Sequence, residues 1–403
     1  MGARSLLRKD RREAPKPGGL ALAAKGFRPF FLLAAAFATT VLPIWMLMLL
    51  GVARADPYLG ATYWHAHEMV FGFAAAVLAG FLLTAVSNWT QRETLVGAPL
   101  IALCVLWLLG RVAIAFATLL PRGIPAIVDV AFLPTLIVVL ARPLFASKNR
   151  RNFVVLGILT ALLAANVAVH LDALGLAPGW RRRGCLVGVD VVVVVILVIA
   201  GRVFPMFTRN ATGMKTIRSS PRLDILTVGA IVLLCVLDAV IPDHMATAVV
   251  AASAGVLAAA RTVHWGARHS VKHPLLWILH LGYAWIPFGL VLRAIAVVDH
   301  AIPPSLATHA LTAGAIGSLT LGMMARVALG HTGRVLTVSK PVAAAFALIT
   351  LAALVRVLGP LAQPGWYLAT VLCAGSLWSL AFLLYLVSYT PFLLFPRIDG
   401  KPG

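Results

Sequence analysis

Long apolar runs with almost no charge recur along the chain, separated by short polar segments. They fall at 29–51, 63–86, 99–120, 124–145, 152–174, 185–208, 223–241, 245–265, 274–298, 305–329, 341–361 and 365–394. A helix of about 20 apolar residues crosses a hydrocarbon core of roughly 30 Å. Backbone N–H and C=O groups in lipid must be satisfied within the spanning structure, and a helix does this. The runs do not alternate apolar and polar positions, which excludes a β-barrel. The pattern predicts an all-α integral membrane protein of about twelve transmembrane helices. It divides into a basic arm (1–28), one transmembrane helical domain (29–394) and a short tail (395–403).

Composition agrees: of 403 residues, 61% are hydrophobic and 12% charged, about half the charge of a soluble domain. The net charge of +21 does not indicate a nucleic-acid partner, because the Lys and Arg sit in short loops where they set orientation. The arm, 146–151, 209–222 and 330–340 are basic and fall on one side; 54–62, 242–244, 299–304 and 362–364 are poor in Lys and Arg. That bias predicts cytoplasmic N- and C-termini, against the exception of Arg181, Arg182 and Arg183. No cleavable leader pattern precedes the first span, so the arm reads as uncleaved. Cys104, Cys185, Cys235 and Cys373 form no C-x-x-C pair and read as small hydrophobes. Asn88-Trp89-Thr90, Asn210-Ala211-Thr212-Gly213 and His331-Thr332-Gly333 end spans 2, 6 and 10, their threonines 122 and 120 residues apart. Three four-helix repeats would produce that spacing.

Candidate chemistry lies in the histidines and charges inside spans, where ionisable groups are costly and usually pair or line a polar cavity. Span 2 opens with Trp64-His65-Ala66-His67-Glu68-Met69. Residues two apart on a helix point about 200° apart, so His65 and His67 serve different sites unless the helix start is irregular. His65, Glu68 and Met69 share a face at i, i+3 and i+4. His309 lies near the same end of span 10, followed by Gly314 and Gly317, which permit close approach by a flat macrocycle or by a neighbouring helix. Two imidazoles from different helices suit haem iron as axial ligands, and equally suit copper with Met69 or another ligand. The alternative for the span 2 residues is an interfacial polar cluster at a helix end.

A second group, His280, Arg326 and His331, lies toward the cytoplasmic end with Arg334. The two arginines suit propionates or another anion, or else positive-inside anchoring. Arg111 is the deepest arginine and needs a partner, for which Asp129 is suitably deep. Arg293 and Arg356 are near span ends and read as snorkelling. His170 is a reserve ligand; His264, His269 and His273 read as solvated. With no C-x-x-C-H motif, any haem is non-covalent.

These motifs carry a resemblance. Lys25-Gly26-Phe27-Arg28-Pro29-Phe30-Phe31, the Trp64–Met69 stretch with Gly72-Phe73 and Gly80–Ala85, Asn88-Trp89-Thr90, Gly110-Arg111, Gly201-Arg202, His280–Trp285 and Leu329–Arg334 together resemble the NnrS family from about residue 25 to the last span. The resemblance implies a bacterial inner-membrane protein containing haem b and copper, tied to nitric oxide and nitrosative stress, with an unknown electron donor. It carries over as His65, His67, Glu68, His280, His309, Arg326 and His331, with Glu68 as a proton-handling group if nitric oxide is reduced. It does not divide these between iron and copper. Haem-copper oxidases share the twelve spans and the histidines of spans 2 and 10 as an analogy only, because spans 6 and 7 here lack copper-site histidines. The rival from another class is a secondary transporter with an intramembrane His/Asp/Arg site.

Overall fold

The computed structural model describes residues 19–54, 56 and 58–401; most of the basic arm and the last two residues of the tail lie outside them. Among the described residues every regular element is helical. Twelve helices follow in order: α1 (Phe27–Leu49), α2 (Gly60–Thr90), α3 (Ala98–Ala115), α4 (Ile124–Ala146), α5 (Val154–Ala173), α6 (Trp180–Thr212), α7 (Pro221–Val240), α8 (Met245–Ala260), α9 (Pro274–Val298), α10 (Pro304–His331), α11 (Lys340–Ala362) and α12 (Tyr367–Leu394). All but α8 are long and apolar enough to cross a membrane. The expected span 245–265 stops at Ala260, where Arg261 turns inward to Asp224.

Local sequence explains the boundaries. Proline occupies the first turn of α3, α4, α7, α9, α10 and α11, where its missing N–H has no intrahelical partner to lose. Gly213 ends the 33-residue α6 in the left-handed region at φ +70°. Two helices depart from α geometry in their interiors: α2 forms a π turn over Glu68–Ala74, and α10 forms one over Ala310–Ile316. Each begins directly after a histidine singled out above, and π turns recur at functional sites.

The ends of the bundle are tied by side chains. At the end holding the α1–α2 connection, Asp56 accepts from Thr118 N (2.9 Å) and Oγ1 (2.7 Å), and Arg182 pairs with Asp243 (2.7 Å). Arg181 pairs with Asp172 at 2.9 Å, and Arg183 donates to the Ala239 carbonyl. The three arginines that ran against the loop-charge bias thus meet acids and a carbonyl locally. At the opposite end, Ala21 N donates to Leu394 O and Gly97 N to Ala23 O, joining the N-terminal strap to α12 and to the α2–α3 loop.

Three helices form the centre. The most apolar windows of α2, α6 and α10 are 83%, 72% and 72% buried, against 22–50% for the other spans. These are the helices that end in the recurring Asn/His-Thr motifs. Close packing around α10 uses its glycines for tryptophan, not for an open surface: Gly314 faces the Trp285 ring and Gly317 the Trp378 ring. Of the two uses foreseen for those glycines, neighbouring side chains take the space.

Candidate functional site

α2 remains regular through His67, so its two histidines diverge to opposite faces. His65 turns toward α1 and α10. Its ring stacks on Trp45 at 3.9 Å between centroids, and lies 6.4 Å from the His309 ring with only 9° between planes. His309 Nδ1 donates to Ser305 O at 2.6 Å, which makes Nε2 the unprotonated nitrogen of a neutral ring; among the described residues His65 Nδ1 has no hydrogen-bond partner. The pair opens onto a cavity of about 150 Å³. Its walls are apolar apart from the two imidazoles, Thr308, Thr312 and Arg356, and include Met69, Phe73, Cys185 and Trp378. A 150 Å³ apolar cavity admits benzene or xenon, so a diatomic gas fits easily.

His67 faces α4 and α5 and belongs to a buried polar cluster. Arg111 Nη1 donates to Glu68 Oε1 at 2.8 Å, and its Nη2 is bonded to Asp129. The sequence expectation that Arg111 needs Asp129 is met, with Glu68 as a second acid. His67 Nδ1 lies 3.1 Å from Glu68 Oε1 and Nε2 lies 2.9 Å from Asn166 Oδ1. Asn166 Nδ2 donates to Asp129 Oδ2 at 2.8 Å, and His170 Nε2 is 2.8 Å from the same oxygen. Tyr58 Oη, from the α1–α2 connection, closes the cluster on His170 Nδ1 at 2.8 Å. Glu68 therefore works on the His67 face, while His65 and Met69 line the cavity, so the three do not share one face.

Both His67 nitrogens face oxygen atoms, and a neutral ring donates to only one of them. Arg111 faces both carboxylates, Glu68 and Asp129. Ligand atoms of His67, Asp129 and His170 all lie within 4.8 Å of one another, and this imidazole–carboxylate set suits copper, iron or zinc. His170, a reserve ligand from sequence, thus lies in a candidate ligand cluster with His67 and Asp129.

Glycines make room for these charges. A Cβ on Gly110 would lie 3.1 Å from Asp129 Oδ1, and one on Gly72 would lie 3.0 Å from Arg111 Nη1. The Gly110-Arg111 and Gly72 motifs thereby acquire a steric reason. Gly201 similarly abuts the Arg261–Asp224 pair.

A second buried charge group escaped the sequence reading. Arg293 donates to Asp190 Oδ1 at 3.1 Å and is bonded to Asp238, both acids being almost fully buried. Arg293 is thus a partner between helices and does not snorkel. Its acids lie 103 and 55 residues away, a separation that no local motif signals.

The second histidine group does not converge on one cavity. His331 lines a cavity of about 400 Å³ with Asn88, Trp89, Arg202 and Met323, so three sequence motifs meet there. Arg326 lies over the Phe207 ring at 3.6 Å and faces a separate cavity with Lys272 and His273. His280 Nε2 is 2.9 Å from Thr208 Oγ1 on α6.

Among curated proteins, none matches the chain. The family model for NnrS protein does, over residues 21–397, a stretch that takes in all twelve helices and both faces of α2. With nearly its whole described length matched, the chain belongs to the NnrS family of nitric-oxide-associated membrane proteins.

Proposed function

We propose that this protein carries non-covalent haem b and copper in a bacterial inner membrane, binds or processes nitric oxide, and thereby protects against nitrosative stress. The observation that carries the reading is the His65–His309 pair, two near-parallel imidazoles from central helices beside an apolar cavity. Two imidazoles bonded to one metal at about 2.0–2.1 Å leave their ring centroids roughly 6 Å apart; the observed 6.4 Å fits. The Ser305 carbonyl fixes the tautomer and orientation of His309, a common outer-shell device for a ligating imidazole. His65 and His309 would hold the haem, whose iron would supply a site for nitric oxide when one position is labile. Nitric oxide is small and apolar, so it reaches a cavity of this kind directly from lipid.

The copper would be held by His67, His170 and Asp129, with Asn166, Tyr58 and Arg111 orienting them. Glu68 bonds both His67 and Arg111 and has the means to exchange a proton with His67. α2 presents the two sites on opposite faces only two residues apart, so a change at one shifts the backbone of the other. Reduction would require an external electron donor; binding alone would not.

The test is the reduced-minus-oxidised optical spectrum and metal content of the purified protein. A b-type haem signal lost in His65→Ala and His309→Ala, with copper lost in His67→Ala and His170→Ala, is expected. Folded, metal-replete protein with no haem would overturn the reading and make uptake assays for a transported substrate the next step.

A further inference from the structure

Arg356 is 4% exposed on α11 and lines the cavity beside His65 and His309. It contrasts with three other buried arginines: Arg111 and Arg293 each meet two acids, and Arg261 meets Asp224. Among the described residues no carboxylate lies within ion-pair distance of Arg356. Its Nη2 donates to Tyr367 Oη at 3.3 Å, its guanidinium stands 5.2 Å from that ring, and Nη1 is buried with no hydrogen-bond partner. A charge this deep needs a counter-charge.

A second observation points the same way. Among the described residues Trp45 Nε1, His65 Nδ1, Arg356 Nη1 and Trp378 Nε1 are all buried without a partner, and all four residues line this one cavity. Three are obligate donors and the imidazole nitrogen donates in one tautomer. Buried donors without acceptors are rare in native proteins and call for a missing acceptor. The walls provide no acid.

We propose that this cavity binds an anion on Arg356: a carboxylate, or a planar oxyanion of nitrite size. The guanidinium fork recognises both by paired N–H···O bonds. A cavity of about 150 Å³ has room for such an ion beside the imidazoles. The carboxylate could belong to the group held by His65 and His309, in which case the proposal rests on the reading above; a free oxyanion requires no metal. Arg356 in either case sets which anion enters.

The experiment titrates the purified full-length protein with sodium nitrite and sodium formate at constant ionic strength. It follows thermal midpoint and binding heat, and quantifies by extraction the organic groups retained. Arg356→Gln, Arg356→Lys and His65→Ala are compared with the unaltered chain. A free oxyanion gives saturable stabilisation that weakens at least about tenfold in Arg356→Gln, is partly kept by Arg356→Lys and weakens less in His65→Ala than in Arg356→Gln. A cofactor carboxylate gives no nitrite response, and Arg356→Gln then retains less of the extracted group than Arg356→Lys. If Arg356→Gln does not fold, Ala352→Leu, one turn away in the same cavity wall, must reduce binding or retention instead. Equal anion response and equal retention in all Arg356 variants would overturn the proposal. Absence of haem with a persistent Arg356-dependent nitrite response would sink the function above and leave the anion site standing.

Discussion

Arg111→Met removes the cation between Glu68 and Asp129. Two physical accounts give different magnitudes. If Arg111 contributes only two ordinary interhelical polar contacts, at about 0.6 kcal/mol each in membrane proteins, the loss is about 1 kcal/mol. The charge balance argues otherwise, because Glu68 and Asp129 are almost fully buried and both face Arg111, so its loss leaves two buried acids without their shared guanidinium. Breaking a buried pair by removing one member costs about 3–5 kcal/mol, mostly through the uncompensated charge left behind. A second change, Asp129→Asn, removes one of the two buried acids, so the double variant should regain about 2 kcal/mol or more of that loss. Equilibrium unfolding of purified protein in mixed micelles, followed by tryptophan fluorescence, measures all three chains. A loss near 1 kcal/mol for Arg111→Met that Asp129→Asn leaves unchanged would refute the charge-balance argument and reduce the cluster to a set of independent hydrogen bonds.

Three further outcomes follow from the same physics. Gly110→Ala should destabilise by about 1–3 kcal/mol through overpacking against Asp129, and should lower copper retention as well, whereas Gly157→Ala, in open space, should do neither. Arg293→Met should cost about 3–5 kcal/mol and Asp190→Asn far less, because the two acids already outnumber their one arginine; the same unfolding assay separates them. Asp56, in the α1–α2 connection, is pushed up by partial burial but pulled further down by the Thr118 and Tyr58 N–H groups and the Thr118 hydroxyl, so its net pKa is lowered. Its stabilisation is present above roughly pH 4 and disappears as pH falls through its lower folded-state value. The gap in thermal midpoint between the unaltered chain and Asp56→Asn should therefore close on acidification.

The helices were legible because lipid leaves the backbone little choice, and prolines mark where six of them start. The divergence of His65 and His67 was legible from helical periodicity, and the bond between Arg111 and Asp129 from the cost of a deep charge. Pairings between distant spans were not. Arg356 and Arg293 looked like snorkelling side chains because distance from a span end says nothing about which way a side chain turns. Gly314 and Gly317 signalled close approach without naming the partner, which proved to be tryptophan in both cases. The placement of Glu68 on the His67 side went unread because its partner Arg111 lies on another span, 43 residues away.

Those two π turns leave a mark on how the helices tolerate change in length. Each wide turn accommodates one residue more than an α-helix of the same rise, which makes it a local insertion absorbed without disturbing either flank. Removing a single residue from 69–74 would restore α geometry and keep both flanks, the segment bearing His65 and His67 and Ala75–Thr90, in register with their neighbours. The same holds for 310–316 and His309. A one-residue deletion there would leave a folded bundle with its imidazoles still facing their neighbours, whereas an equal deletion in α12, which carries no such turn, would rotate the rest of the helix by about 100° against its packing.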